Sequence, residues 1–330
     1  MLKGKIKKIL GRSFITTGLS FFHGPTVLVL MYHDLRQHND SQSWLRIYSN
    51  DFEDQLNKLS SIGDFISPTD LDRIFYEKSK QLYFMVTFDD GYINNYRLAF
   101  PILKKLNIPA LFFISTERIN QKDLFWFDWI ILPIQKLELT ELDLTEFGLK
   151  NYNFTNENNS RRWDDIQLLL EDVKVLGNQT DDIVQNIIAF FKEKFFGSIK
   201  EVLPFYRPLE AREIREMYQS GLCHFGSHSH THEILTLLNT EKALENLSHS
   251  KHILEKLLEC EINYISYPNG NWNEKIIKMC QDIGFQYGFL AQSGLFKNNT
   301  NRMRIPRMGI GGYDTPNDIS FSLNKMLLQI

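Results

Sequence analysis

From Val27 onward, short apolar runs alternate with stretches whose apolar residues recur every three to four positions, and this alternation limits the folds open to the chain. The runs VLVLMY (27–32), LYFMVTF (82–88), PALFFIS (109–115), LCHFGS (222–227), INYISYP (262–268) and FQYGFLA (285–291) read as strands. Most are close to continuous in apolar residues, as strands buried on both faces are. Between them, NDFEDQLNKLSSIG puts Phe52, Leu56 and Leu59 on one helical face, with Gly63 at the C-terminal cap. SPTDLDRIFYEK starts a helix with Ser67 as cap and Pro68 as first residue. YRLAFPILKKLNI is helical with a proline inside it, and LEAREIREMYQSG is a helix ending at Gly221. Parallel neighbours need a crossover, and the helix that makes it covers the sheet. The expected fold class is therefore α/β, a β/α barrel first and an open doubly wound sheet second.

The rhythm breaks from about 117 to 204. This insertion opens with the aromatic DLFWFDWIILPI, passes through NYNFTNENNSRRWDD and goes on as helix. It reads as a small subdomain or a lid over the mouth of the barrel. The 330 residues, 43% of them hydrophobic, are ample for a large core. A net charge of −3 gives no footing for general nucleic-acid binding. Three scattered cysteines form neither a disulfide framework nor a metal motif, which points to a reducing compartment. No apolar run reaches the roughly 20 residues of a membrane span. Residues 1–24 place Leu2, Ile6, Ile9 and Leu10 on one side, with lysines around much of the rest. Such a segment suits peripheral contact with an anionic membrane, or equally a helix packed on its own domain.

In a β/α barrel, chemistry sits at the C-terminal ends of the strands. Asp89 and Asp90 directly follow the strand ending at Phe88. On its own Asp-Asp-Gly is more often a solvated turn. FGSHSHTHEIL follows the strand that begins near Leu222. A helical turn there would put His228 and His232 on one side, whereas strand alternation would pair His228 with His230. Two imidazoles and a carboxylate make the three-ligand set that zinc takes in catalytic sites. SYPNGNW ends a further strand, where Gly270 lets backbone amides approach a substrate.

TFDDGY, GSHSHTH and YPNG, in this order, resemble the NodB-type polysaccharide deacetylases of carbohydrate esterase family 4. The resemblance implies a distorted (β/α) barrel over 25–330, interrupted by the largely helical insertion. It also implies that Asp89 is the general base and that Asp90, His228 and His232 hold a metal, zinc first and another divalent transition metal second. The N–H of Asn269, beside Gly270, would face the oxyanion. Many members carry an arginine two residues before the motif proline to hold the base; Ser266 stands there, and Arg304 and Arg307 are the candidate substitutes. The usual C-terminal Leu-x-His is missing too. VLVLMYHDL resembles the branch in which that strand is permuted to the front, making His33 the general acid.

The implied activity is a metal-dependent hydrolase that removes an N-acetyl group from an amino sugar, in a polysaccharide or a lipid-linked oligosaccharide. The implied location is cytoplasmic, at the inner face of the plasma membrane if residues 1–24 bind it. Two alternatives are a deformylase of a lipid-linked aminosugar and a non-catalytic carbohydrate-binding descendant. A metalloprotease is disfavoured, since no H-E-x-x-H is present.

Overall fold

The computed structural model describes residues 24–37, 45–76, 81–155, 159–177, 181–312 and 314–328. The chain divides into two compact units, one of Met1–Gln121 with Leu209–Ile330, the other Lys122–Pro208. Apart from Gly24, the basic segment at the N-terminus lies outside the described residues. Among the described residues, no helix is long and apolar enough to cross a membrane.

The first unit begins with β1 (Thr26–Tyr32), β2 (Asp34–Arg36), β3 (Arg46–Tyr48), β4 (Asp64–Phe65), β5 (Leu82–Phe88) and β6 (Ala110–Ile114). The second unit contributes the antiparallel hairpin β7 (Glu141–Asp143) and β8 (Asn151–Asn153). The first then resumes with β9 (Cys223–Ser227), β10 (Tyr264–Ser266), β11 (Tyr287–Phe289), β12 (Phe296–Lys297) and β13 (Met308–Gly309). The main sheet runs β11-β10-β9-β6-β5-β1-β12, with β4 beside β5 and β13 beside β1. Every pairing in it is parallel except β1 with β12.

Strict alternation splits each strand between two cores. Val27, Val29, Met85, Leu111, Phe113, Phe289 and Ile305 fill the inner face of the curled sheet. Leu28, Leu30, Tyr32, Phe84, Val86, Phe88, Phe112 and Phe225 face outward under the helices. The covering residues include Phe52, Leu56 and Leu59 from Ser49–Ser60, Ile214 and Met217 from Ala211–Gln219, and Leu247 and Leu254 from Thr240–Leu258. Four outward rings from adjacent strands stack in a row: Tyr32 on Phe88 (5.5 Å), Phe88 on Phe112 (4.9 Å) and Phe112 against Phe225 (5.7 Å). Such pairs add about 0.5–1.5 kcal/mol each beyond their burial. They also fix the relative heights of β1, β5, β6 and β9 just below the residues that end those strands.

One short segment draws the two edges of the sheet together. Ile305 bridges to Phe289, its N–H donating to the Gly288 carbonyl (2.8 Å), while Met308 and Gly309 pair with Leu30 and Met31 of β1. The sheet is thus a curled α/β half-barrel, closed by a few residues rather than by a full strand.

One local expectation needs correction. The first long helix ends at Ser60, and Gly63 is not its left-handed cap; a Cβ there would meet the Leu82 carbonyl oxygen and the Phe84 ring, so glycine permits close approach to β5. Pro101, by contrast, sits inside a continuous helical stretch, 93–106, as expected. A π-helical turn over Asn95–Ala99 directly precedes the α-helical turns Phe100–Leu106 and accommodates the proline's missing N–H.

Among the described residues the second unit holds three α-helices, Trp126–Lys136, Asn159–Gly177 and Asp181–Ile199. Its core is built on Leu124, Trp129, Leu132, Ile188, Ile199 and Tyr206.

Candidate active site

The period of two that builds the inner core also builds the site. On β5, Met85 points inward and Thr87 is fully buried; the next residue of that parity is Asp89. On β9, Gly226 lies against the inward Phe113 ring, and His228 follows at the same parity. On β10, Tyr264 packs on the inner cluster and Ser266 follows. On β1, Val27 and Val29 point inward, and His33 follows in the same series. Side chains past the C-terminal ends of four strands therefore converge.

Asp89 is the most constrained of them. Arg307 grips it bidentately, Nη1 to Oδ1 and Nη2 to Oδ2, both at 2.7 Å. The guanidinium is itself fixed by the Leu290 carbonyl (2.9 Å), Thr87 Oγ1 (3.2 Å) and Ser266 Oγ (2.8 Å), and the Ser266 hydroxyl donates on to Asp89 (3.2 Å). The position where the sequence pattern leads one to expect arginine thus holds a small hydroxyl, and the guanidinium enters from the segment that closes the sheet. Burial works against the Asp89 charge, but Arg307 first, then His228 and His33, hold its carboxyl well below the usual carboxylate range. Arg304 is elsewhere: it pairs with Glu274 and lies over the Trp272 ring at 4.3 Å. Ile305 points inward, so Arg307, two residues on, shares that direction, whereas Arg304 does not.

Asp90 turns away from Asp89 through backbone geometry. It has φ 71° and Gly91 φ 77°, and the Gly91 N–H closes a tight turn on the Asp89 carbonyl (2.9 Å). A Cβ on Gly91 would strike the Ile114 side chain, so only glycine suits this second left-handed residue. Asp90 Oδ1 then lies 3.5 Å from His228 Nε2 and 3.1 Å from His232 Nε2. One ligand atom from each of the three falls within 4.8 Å of the others. Tetrahedral zinc with bonds of about 2.0–2.1 Å places its ligands roughly 3.3 Å apart, so the spacing fits. The chemistry of the donors fits as well. His228 Nδ1 donates to the Ser266 carbonyl (2.9 Å), which leaves Nε2 as the lone pair. Burial pushes the His228 pKa down to about 4, keeping the ring neutral.

No helical turn joins the two histidines. Ser229 and His232 both have φ 62°, and the loop folds back because Ser229 Oγ accepts from the His232 N–H (3.0 Å) and Ser227 Oγ from the Ser229 N–H (3.0 Å). Asn246 and Ser250, one turn apart on the buried face of Thr240–Leu258, anchor this loop through the His230 N–H (2.6 Å) and Ser227 Oγ (2.6 Å). His230 points away from Asp90, to Thr116 and His249.

His33 stands near enough to both carboxylates to lower their pKa values. The residue after it belongs to a feature the sequence did not suggest. Asp34 is buried with Arg36 (2.6 Å) and Arg46 (3.6 Å), and parallel pairing of β2 with β3 sets Asp34 opposite Arg46. Asn94, four residues beyond Asp90, favours the Asp34 charge as well. This buried group fixes the direction of the chain as it leaves His33. Asn269 and Gly270 lie on a tight turn after β10; Asn269 is exposed with φ 57°, its amide bonded to Asn271 (2.6 Å), and Gly270 abuts Ala291. The described geometry therefore gathers Asp89, Asp90, His228, His232, His33 and Arg307, and leaves Arg304 outside.

A family model described as "Polysaccharide deacetylase" matches residues 77–288, more than half of the chain. The chain belongs to the polysaccharide deacetylase family. The poly-beta-1,6-N-acetyl-D-glucosamine N-deacetylase of Staphylococcus epidermidis is 32% identical over 108 residues, which is 30% of this chain and 37% of that relative. Thus the chain matches only about a third of the length of this curated deacetylase. YxkH of Bacillus subtilis is 20% identical over 285 residues, 86% of this chain and 70% of that one. Among crystal structures, a polysaccharide deacetylase from Bacillus cereus superposes with a TM-score of 0.58 at 19% identity, over 90% of this chain and 69% of that one. The Streptococcus pyogenes deacetylase PplD in complex with acetate gives the same score and identity, over 92% and 99%. At such identity these two structures establish the deacetylase fold alone.

Proposed function

We propose that this polysaccharide deacetylase is a metal-dependent N-deacetylase of an amino-sugar glycan. The observation that carries the reading is the division between the two adjacent carboxylates. Arg307 holds Asp89 ionised and aimed, while Asp90 faces two imidazole nitrogens instead. A binding module needs the second arrangement but not the first.

A divalent ion held by Asp90, His228 and His232 would supply positive charge beside the amide oxygen and make a nearby water more acidic. Zinc suits the donor set best, since two imidazoles and one carboxylate leave coordination open. Asp89 takes the proton as water adds to the acyl carbon, and its low pKa keeps it ionised at neutral pH. His33 gives a proton to the sugar nitrogen as the carbon–nitrogen bond breaks, so the amine leaves neutral and acetate remains. The N–H of Asn269 would face the oxygen that gains charge, while that of Gly270 is taken by the Tyr267 carbonyl (2.9 Å). Replacing His33 by Gln is expected to lower kcat by about 10²–10⁴-fold. KM should change little, as steady-state kinetics will read.

The relatives named for poly-β-1,6-N-acetylglucosamine make its oligomers the first substrates to test, with N-acetylated lipid-linked aminosugars beside them. Acetate release is measured with native, chelated and zinc-restored protein. Release should vanish on chelation and return with zinc. Tight metal uptake without acyl release from any substrate would overturn the reading, and the same series with N-formyl sugars then tests deformylation.

A further inference from the structure

The loop from His228 to His232 is held from two sides. The stretch after β6 takes its carbonyls: Ser115 Oγ donates to that of His228 (3.2 Å), and the N–H groups of Thr116 and Glu117 donate to those of Ser229 (3.2 Å) and His230 (3.0 Å). Its own N–H groups find side-chain oxygens. Ser227 Oγ and Ser229 Oγ serve Ser229 and His232, while His230 N–H donates to Asn246 Oδ1 at 2.6 Å. Of these three acceptors only Asn246 is distant in sequence. Asn246 Nδ2 also donates to Thr231 Oγ1 (2.7 Å), so one amide spans the two residues just before His232. That amide is nearly inaccessible, on the buried face of Thr240–Leu258.

We propose that Asn246 is a positioning residue for the metal: by clamping His230 and Thr231 it keeps His232 in line with Asp90 and His228. The inference rests on the metal-dependent reading above and adds the residue that shapes the ligand set in advance. The two histidines differ in what fixes them. His228 directly follows β9, with its N–H on the Ile114 carbonyl (2.9 Å) and its ring on the Ser266 carbonyl (2.9 Å). His232 stands beyond a turn that needs φ 62° at both Ser229 and His232, on either side of the clamped pair. L-residues disfavour that conformation, so it persists only where the surroundings enforce it. Without the Asn246 amide the turn loses its long-range side-chain bonds, and the metal must re-form it on binding. Partners that orient ligands in this way set metal affinity by about 10–100-fold.

The test is the zinc dissociation constant of untagged, metal-stripped protein at pH 7, read by competition with a chromophoric chelator, beside the melting temperature of the same metal-free chains. Asn246→Leu removes both clamp bonds at similar size and should weaken zinc by about 10–100-fold. Thr231→Val removes one of them from the loop side, outside the core, and should weaken zinc in the same direction by a smaller factor. Leu254→Ala is the control for stability alone. It lies two turns further along the same helix, fully buried in the outer core, and should melt earlier yet bind zinc as wild type does. Wild-type affinity in Asn246→Leu overturns the proposal, as does wild-type affinity in Thr231→Val should Asn246→Leu fail to fold. Equal weakening in Leu254→Ala overturns it too, since the effect would then follow stability. Wild type that takes up no zinc sinks the metal-dependent reading itself, and the proposal with it.

Discussion

Replacing Asp89 by Asn is expected to lower kcat/KM by about 10²–10⁴-fold while leaving zinc uptake unchanged. The shape is kept and Asn can still accept from Arg307, but an amide cannot take a proton from water. Asp90, which faces both histidines, is untouched by the change. The matching experiment pairs acetate release with zinc titration of the same preparation. Lost activity with lost zinc would make Asp89 a structural or ligand group, and the division of labour would be wrong. Lost activity with zinc retained is the result the proposed roles predict. Lowering the pH should mimic the substitution. The native carboxyl titrates below the usual carboxylate range, so its ion pair stabilises the fold above that range and is lost as pH falls through the depressed value.

The second large effect belongs to Arg307. Arg307→Met keeps an unbranched apolar stem and removes the guanidinium with its charge, leaving Asp89 buried without its main counter-ion. Breaking a buried pair in this way costs about 3–5 kcal/mol of stability. Burial is the opposing influence on Asp89, and it then acts with less to resist it, so the carboxyl pKa rises. The acid limb of the kcat/KM profile is expected to move upward, with a further loss of about 10–100-fold at its plateau from misaimed base. Thermal denaturation and a pH–rate series read the two effects separately. Arg307→Lys should restore part of the stability but not the plateau, because an ammonium cannot make the two parallel bonds. A native profile in Arg307→Met would show that Ser266 alone orients the base.

Much of the site was legible in the sequence because it follows from alternation along buried strands. Once LYFMVTF is a strand, the inward residues Met85, Thr87 and Asp89 are set, and the same count places His33 and His228. The pairing of His228 with His232 rather than His230 was not decided by the residues alone. It depends on two left-handed positions, Ser229 and His232, where side-chain and backbone bonds outweigh the steric preference against positive φ. Arg307 could not be told from Arg304, since the closing segment offers only a two-residue strand and a single bridge, too short to show a period. Alternation from Ile305 would have chosen correctly had that segment been read as extended. Asp34, Arg36 and Arg46 were missed for a different reason. Their meeting rests on parallel pairing between two three-residue strands, and no local pattern announces it. The Gly63 assignment failed where tertiary contact replaced ordinary helix punctuation, and the helix around Pro101 was legible but its π-turn was not.

The closing segment has a consequence for how the protein comes to life. Asp90, His228 and His232 are all in place once β5, β6 and β9 have assembled, long before the end of the chain is needed. The bond that aims the base joins residues 218 positions apart and comes from the stretch that zips β11 to β1. Contacts so distant in sequence form late. A nascent or partly refolded chain can therefore gather its ligands for a metal while its base still swings loose. On the proposed division of labour, hydrolytic competence would arrive only when the last strands lock, so activity would report completion of the half-barrel, and bound metal alone would not.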